Sequence, residues 1–260
     1  MSRLDELIAE LCPNGVEYKS LGEIATIARG GNFQKKDFCD RGVPCIHYGQ
    51  IYTKYGLFTD KTITFITEEG AKKQKFAKTN DIIMAVTSEY IEDVCKCLAW
   101  LGNEDVAVSG HSAIISHNQN PKYLVYYFHS QMFFIQKRKL AHGTKVIEVT
   151  PDTLKSIKLP VPPLEVQREI VHILDSFTLL TAELTAELTA RKKQYEFYRN
   201  TLLTFDNTVK IVPLADIADI GTGSSNTNEG LEEGKYPFYV RSQEPLRKNE
   251  YEYDLSLIHI

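Results

Sequence analysis

From Leu164 to Thr204 no glycine or proline interrupts the chain. Apolar residues recur through this run at Val166, Ile170, Ile173, Phe177, Leu180, Leu184, Leu188, Tyr195, Tyr198, Leu202 and Phe205. Steps of four and three are those of a heptad seam, and the extra four-residue step at Leu184–Leu188 shifts its register. About 40 residues at about 1.5 Å each make a rod of about 60 Å, more than one small domain needs. A helix that long with so narrow an apolar stripe calls for a partner helix. Ile170, Ile173, Phe177, Leu180, Leu184 and Leu188 are the expected helix-packing residues. Within the rod, Leu180–Glu183 and Leu184–Glu187 are both Leu-Thr-Ala-Glu, and Leu188-Thr189-Ala190 begins a third copy. Each copy lengthens the rod by about 6 Å and turns it by about 40°, which suits a spacer; replication slippage in a tolerant helix is the competing reading.

The segments on either side of the rod resemble one another. Leu21–Gln50 and Leu214–Gln243 align without a gap, with Leu21/Leu214, Ile24/Ile217, Ala25/Ala218, Ile27/Ile220, Gly30/Gly223, Pro44/Pro237 and Gln50/Gln243 identical. A repeat this widely spaced points to duplicated domains rather than a solenoid. The second copy stops soon after it starts, so the expectation is a fragment of a two-module protein. Before the rod, short β-type runs alternate with turns: Cys45–Tyr48, Thr62–Ile66, Asp81–Thr87, Val94–Leu101, Ser112–Ile115 and Ile157–Val161. Arg3–Leu11 and Tyr123–Leu140 read as helices, the latter closing in Gln136–Lys139, and Thr150-Pro151-Asp152 as a capped helix start. Cations in a last turn suit the helix dipole and equally suit phosphate. The fold class is therefore α+β, with residues 1–163 as a first module, 164–205 as the rod and 206–254 as the opening of a second module.

Hydrophobic residues at 43% and charged residues at 25% are ordinary for a globular chain, and no apolar run is long enough for a transmembrane helix. Five scattered cysteines without a Cys-x-x-Cys pair suggest reduced thiols in a cytoplasm. The net charge of −4 is unevenly spread. Residues 29–80 carry 10 Lys/Arg against 5 Asp/Glu, with Lys35, Lys36, Lys54, Lys61, Lys72, Lys73, Lys75 and Lys78 among them. Such a sector suits a phosphate backbone, an ordinary solvated surface being the alternative.

Ile157–Gln167, read as IKLPVPPLEVQ, with Arg168–Val171 and Leu174-Asp175 after it, resembles the start of the conserved region in type I restriction–modification specificity (S) subunits. Leu21–Gly30 and Leu214–Gly223 resemble the openings of that family's target recognition domains. The resemblance covers Val16 to about Asp254. It implies recognition domains that each read half of a split double-stranded DNA site, held apart by antiparallel long helices that dock modification (methyltransferase) subunits, with an ATP-driven restriction subunit completing the complex. It implies a non-catalytic, prokaryotic, cytoplasmic chain without a membrane role, with S-adenosylmethionine, ATP and Mg on the partner subunits and no cofactor or metal here. Repeat number in the rod is reminiscent of members where it sets the gap between half-sites. Without the second conserved helix, the exposed seam is expected to drive self-association. The last residues, Leu255–Ile260, back-translate as CTG-TCT-CTT-ATA-CAC-ATC, resembling a transposon-end adaptor, so they are expected not to be native coding sequence.

Reading bases takes polar side chains at base edges and cations on the backbone. The candidates are Asn32, Gln34, Lys35 and Lys36 after the Gly30-Gly31 turn. A second group is Tyr48, Gln50, Tyr52 and Lys54, with His47, expected on a strand and its loop. Ser88, Thr144 and Lys145 follow. Catalytic patterns are missing: there is no amino-methyltransferase motif and no P-loop. Glu17-Tyr18-Lys19 and Glu233-Gly234-Lys235 have a spacing seen in nucleases but lack a suitably placed acid. His111-Ser112 with Asp81 lacks a nucleophile elbow. A coiled-coil assembly module without DNA specificity is the alternative function.

Overall fold

The computed structural model describes residues 2–206, 208–219, 221, 224–241 and 243–251. Ile220 and Gly223 of the internal repeat, and the adaptor-like Leu255–Ile260, lie outside them. The chain divides into two compact units, Met1–Thr189 and Ala190–Ile260.

In chain order the first unit runs α1 (Arg3–Leu11), β1 (Tyr18–Ser20), α2 (Leu21–Ile24), β2 (Ala25–Arg29), β3 (Phe38–Cys39), β4 (Val43–Ile46) and α3 (Tyr48–Thr53). It continues through β5 (Phe58–Thr59), β6 (Thr64–Ile66), α4 (Glu68–Ala71), β7 (Lys75–Ala77), β8 (Ile82–Ala85), β9 (Thr87–Ser88) and β10 (Cys97–Trp100). Then come β11 (Val106–Val108), β12 (Ser112–His117), α5 (Pro121–Phe128), α6 (Gln131–Leu140), β13 (Ile147–Glu148), α7 (Pro151–Leu154) and β14 (Lys158–Pro160). The rod, α8, spans Leu164–Leu202.

Two five-stranded sheets carry this unit, in the orders β2-β12-β8-β10-β5 and β3-β6-β4-β11-β7. Alternation along β8 explains how they share a core. Ile82 and Met84 point into a cluster with Leu124, Phe128 and Phe133 from α5 and α6. Ile83 and Ala85 point the other way, into a cluster with Ile46, Ile51, Val106 and Val108. A strand buried on both faces reads as a continuous apolar run, which Ile82–Val86 is. The Cys95 and Cys97 side chains lie on the α5–α6 side, whereas Leu98 and Trp100 of the same segment face the second sheet. Both thiols thus lie on one packing face.

Two local expectations give way. Tyr123–Leu140 is two helices, because the Ser130 hydroxyl accepts from Phe133 N at 3.3 Å and starts a new one. Lys137, expected in an open last turn, is buried and donates to the Glu92 and Val94 carbonyls at 2.9 and 2.6 Å. It is therefore not available to a phosphate.

Part of the internal repeat recurs in structure, its capped turn and first bridge standing one residue earlier than the ungapped alignment has them and its proline at the aligned position. In the first unit, Gln34 N donates to Asp37 Oδ2 at 2.7 Å, and Cys39 and Pro44 both pair with Phe65 across β6. In the second unit, Asn226 N donates to Glu229 Oε1 at 2.7 Å, and Leu231 and Pro237 both pair with Arg247. The strands there are β15 (Tyr236–Phe238) and β16 (Leu246–Lys248), and β15 occupies the aligned position of β4.

Candidate nucleic-acid interface

Four chain segments singled out by sequence meet in one strip across the first unit. It begins at the Gly30-Gly31 turn, which lies against Ser109: a Cβ on Gly30 would stand 2.3 Å from the Ser109 carbonyl oxygen, so only glycine fits. Beyond it, Asn32 N donates to Gln74 Oε1 at 2.9 Å, tying the Lys35–Asp37 turn to the lysines around α4. Phe33 and Phe38 then flank the His47 ring at 6.4 and 6.0 Å. His47 lies 4.4 Å from the Tyr48 ring, and Tyr48 lies 4.9 Å from His111. His111 Nδ1 is 3.2 Å from Thr87 Oγ1. Thr87 pairs with Glu148 and Ser88 with Ile147, forming a two-stranded ribbon beside the loop that holds Thr144 and Lys145.

Several candidates are engaged in holding this strip rather than presented by it. Residues 48–53 form helix α3, not a strand and loop, because His47 and Gln50 cap its start. His47 Nδ1 accepts from Gly49 N at 3.2 Å, and Gln50 Oε1 accepts from His47 N at 2.9 Å. Gln50 also donates to Thr64 Oγ1 at 3.1 Å and is buried, so it is not placed to meet a base. The Tyr52 hydroxyl donates to the Thr87 carbonyl at 2.7 Å, and burial raises its pKa. Burial, with Lys35 and His111 nearby, holds His47 down at about 4, so its imidazole is neutral at pH 7. Asn32, Gln34, Lys35, Lys36, Lys54, Thr144 and Lys145 are exposed, and Tyr48 and Ser88 are half-buried.

The eight lysines from Lys35 to Lys78 are all exposed. Among the described residues none of the eight is in an ion pair, although Arg29 in the same sector is paired with Glu148. His111 is a strip residue that sequence reasoning weighed only as part of a hydrolytic set. That set does not assemble: Ser112 pairs with Ala85, four residues along β8 from Asp81 and so about 13 Å away. Asp81 instead accepts from Lys78 N at 2.8 Å. Among the described residues no group of three or more His, Cys, Asp or Glu could hold a metal ion, and no helix is long and apolar enough to cross a membrane.

The rod leaves this unit through a polar joint. Gln167 is fully buried: Oε1 accepts from Asn120 N at 2.9 Å, and Nε2 donates to the Pro162 carbonyl and to Gln119 Oε1, both at 2.8 Å. Two turns on, Asp175 accepts from Lys122 Nζ and from the Tyr126 hydroxyl, each at 2.6 Å. These are the glutamine and aspartate of the proline-rich motif that enters the rod. The model of the type I restriction modification DNA specificity domain matches residues 13–191, a span that contains both the strip and this joint. The chain belongs to that family.

Curated relatives of this specificity domain agree. The EcoR124I/EcoR124II specificity subunit of Escherichia coli is 31% identical over 204 residues, 73% of this chain and 48% of that one. A putative type I restriction enzyme specificity subunit of Haemophilus influenzae is 30% identical over 237 residues, 86% of this chain and 56% of that one. The chain thus spans about half the length of these relatives. In fold it is similar to the S subunit of a type I system from M. genitalium, at TM-score 0.50 and 16% identity, over 89% of this chain and 62% of that one. A chain from a study of type I complex assembly and conformational transition gives TM-score 0.53 at 22% identity, over 74% of this chain and 48% of that one.

Proposed function

We propose that residues 1–163 are a target recognition domain that reads one half of a bipartite double-stranded DNA site. Residues 164–205 are its spacer and docking helix, and residues 206–254 open a second such domain. The observation that carries this reading is the set of eight exposed lysines between Lys35 and Lys78, none in an ion pair among the described residues, with Lys35 and the Gln74 segment tied directly to the strip. Cations that are not committed to protein carboxylates are free to neutralise phosphates and release counterions. The specificity-subunit relatives support the same role. In this reading the chain is non-catalytic and works in the cytoplasm. It confers sequence choice on modification subunits that bind S-adenosylmethionine and on a restriction subunit that uses ATP and Mg.

A coiled-coil assembly role is favoured by one observation, the exposed apolar seam of α8. It accounts for the rod but leaves the lysines without a purpose. Mapping methylated motifs in the source genome with and without the gene tests the proposal. Loss of one bipartite motif is expected; an unchanged set of methylated motifs would overturn it.

A further inference from the structure

His111 stands at the centre of the strip and differs from its neighbours in how it is held. Val86 N donates to its carbonyl at 2.9 Å, and Ser112 N donates to the Ser109 carbonyl at 3.0 Å, fixing the turn that carries it. Ser109 Oγ accepts from Tyr48 N at 2.8 Å, which ties that turn to the start of α3. The imidazole rests on the Tyr48 ring at 4.9 Å, and Thr87 Oγ1 takes up Nδ1. A tilted ring contact and one ring nitrogen are therefore committed. Among the described residues Nε2 has no protein partner, and the residue is exposed.

A side chain fixed in advance loses little freedom on binding, which a base reader needs and a phosphate-contacting lysine does not. The two-residue pairing of β9 and β13 ends beside it, and it is in the major groove that base edges present a pattern distinguishing all four base pairs. We infer that His111 is a specificity-determining residue whose Nε2 hydrogen-bonds one base edge in the major groove, with Tyr48 and Thr87 as positioning residues. This inference rests on the first module being a DNA reader. It reassigns the reading role from Gln50 and Tyr52, which the fold consumes, to a residue from a different loop.

The test is selection of duplexes from a random library on the full chain, in parallel with His111→Ala, Thr87→Val and His111→Gln. The unmodified chain is expected to enrich a short motif. His111→Ala flattens the preference at one position by about tenfold and leaves the other positions and the thermal midpoint unchanged. Thr87→Val, which keeps the imidazole but frees it, weakens the same position less. His111→Gln restores a preference there, shifted toward adenine, because an amide pairs with adenine N6 and N7. A motif that His111→Ala leaves intact, or one it weakens uniformly along its length, would overturn the inference while DNA reading stands. Failure of the unmodified chain to retain DNA in a salt-dependent way would overturn the DNA-reading role and the inference with it.

Discussion

Gln167 shows how one residue type becomes a signature. Three hydrogen bonds from a fully buried amide join the rod to the α5 cap and to the proline turn. Gln167→Leu would strand Asn120 N and the Pro162 carbonyl in an apolar setting, so it is expected to cost about 2–4 kcal/mol, measured by denaturant unfolding of the first unit. Its neighbour in the motif, Asp175, reaches a lysine and a tyrosine 53 and 49 residues away, pairings that local sequence cannot announce.

His47 gives the pH dependence a sign. Its folded pKa of about 4 lies below the ordinary 6.5, so the unfolded chain binds the proton more readily. Stability is expected to be full above pH 6.5, to fall by about 3 kcal/mol as pH drops toward 4, and to lose nothing further from this group below that. His117 and His129 are shifted the same way by burial and deepen the fall. His47→Asn keeps a capping side chain without a titrating one. Unfolding at pH 7 and pH 5 should show a smaller drop for that variant than for the unmodified chain. An equal drop would mean His47 is not a source of the acid sensitivity.

Elements differ in how clearly the sequence spells them. The rod was legible because its periodicity is local, and the structure places it at Leu164–Leu202. Of the ten strands in the two large sheets, β4, β6, β8, β10 and β12 were legible, whereas β2, β3, β5, β7 and β11, too short or too mixed to stand out, were not. Helix α3 was not, since Gly49 and the aromatic residues around it mimic a strand and loop, and only the His47–Gln50 capping bonds reveal the turn. The seam of the rod also divides in a way its pattern did not show. Ile170 packs on the core of the first unit and Ile173 is half-buried, whereas Phe177, Leu180, Leu184 and Leu188 are 50–61% exposed. Of the six expected packing residues only these four remain for a partner helix, together with the exposed Tyr195, Tyr198 and Leu202 further along the seam. Leu180→Asp combined with Leu184→Asp is therefore expected to abolish self-association and leave the fold of the first unit unchanged. Sedimentation at high concentration checks it; a monomeric unmodified chain would show that the seam does not drive pairing.

At the scale of the molecule, the segments that sequence singled out come together in the structure, while several of the side chains named within them are engaged internally. Residues 32–36, 47–54, 87–88 and 142–145 do converge, because sheet order folds distant segments onto one edge. Which of their side chains face outward was decided by partners supplied from elsewhere: Thr64 for Gln50 and the Thr87 carbonyl for Tyr52. Among the described residues the eight lysines are in no ion pair, and their charge could be read directly. Phosphate contact by the lysine sector is read in the salt dependence of duplex binding by the intact chain, against a variant with Lys35, Lys36, Lys72 and Lys73 changed to glutamine. Affinity is expected to fall log-linearly with salt, and the variant's slope to be shallower by about 0.9 for each phosphate it no longer neutralises. Equal slopes for the two proteins, or binding indifferent to salt, would contradict that contact.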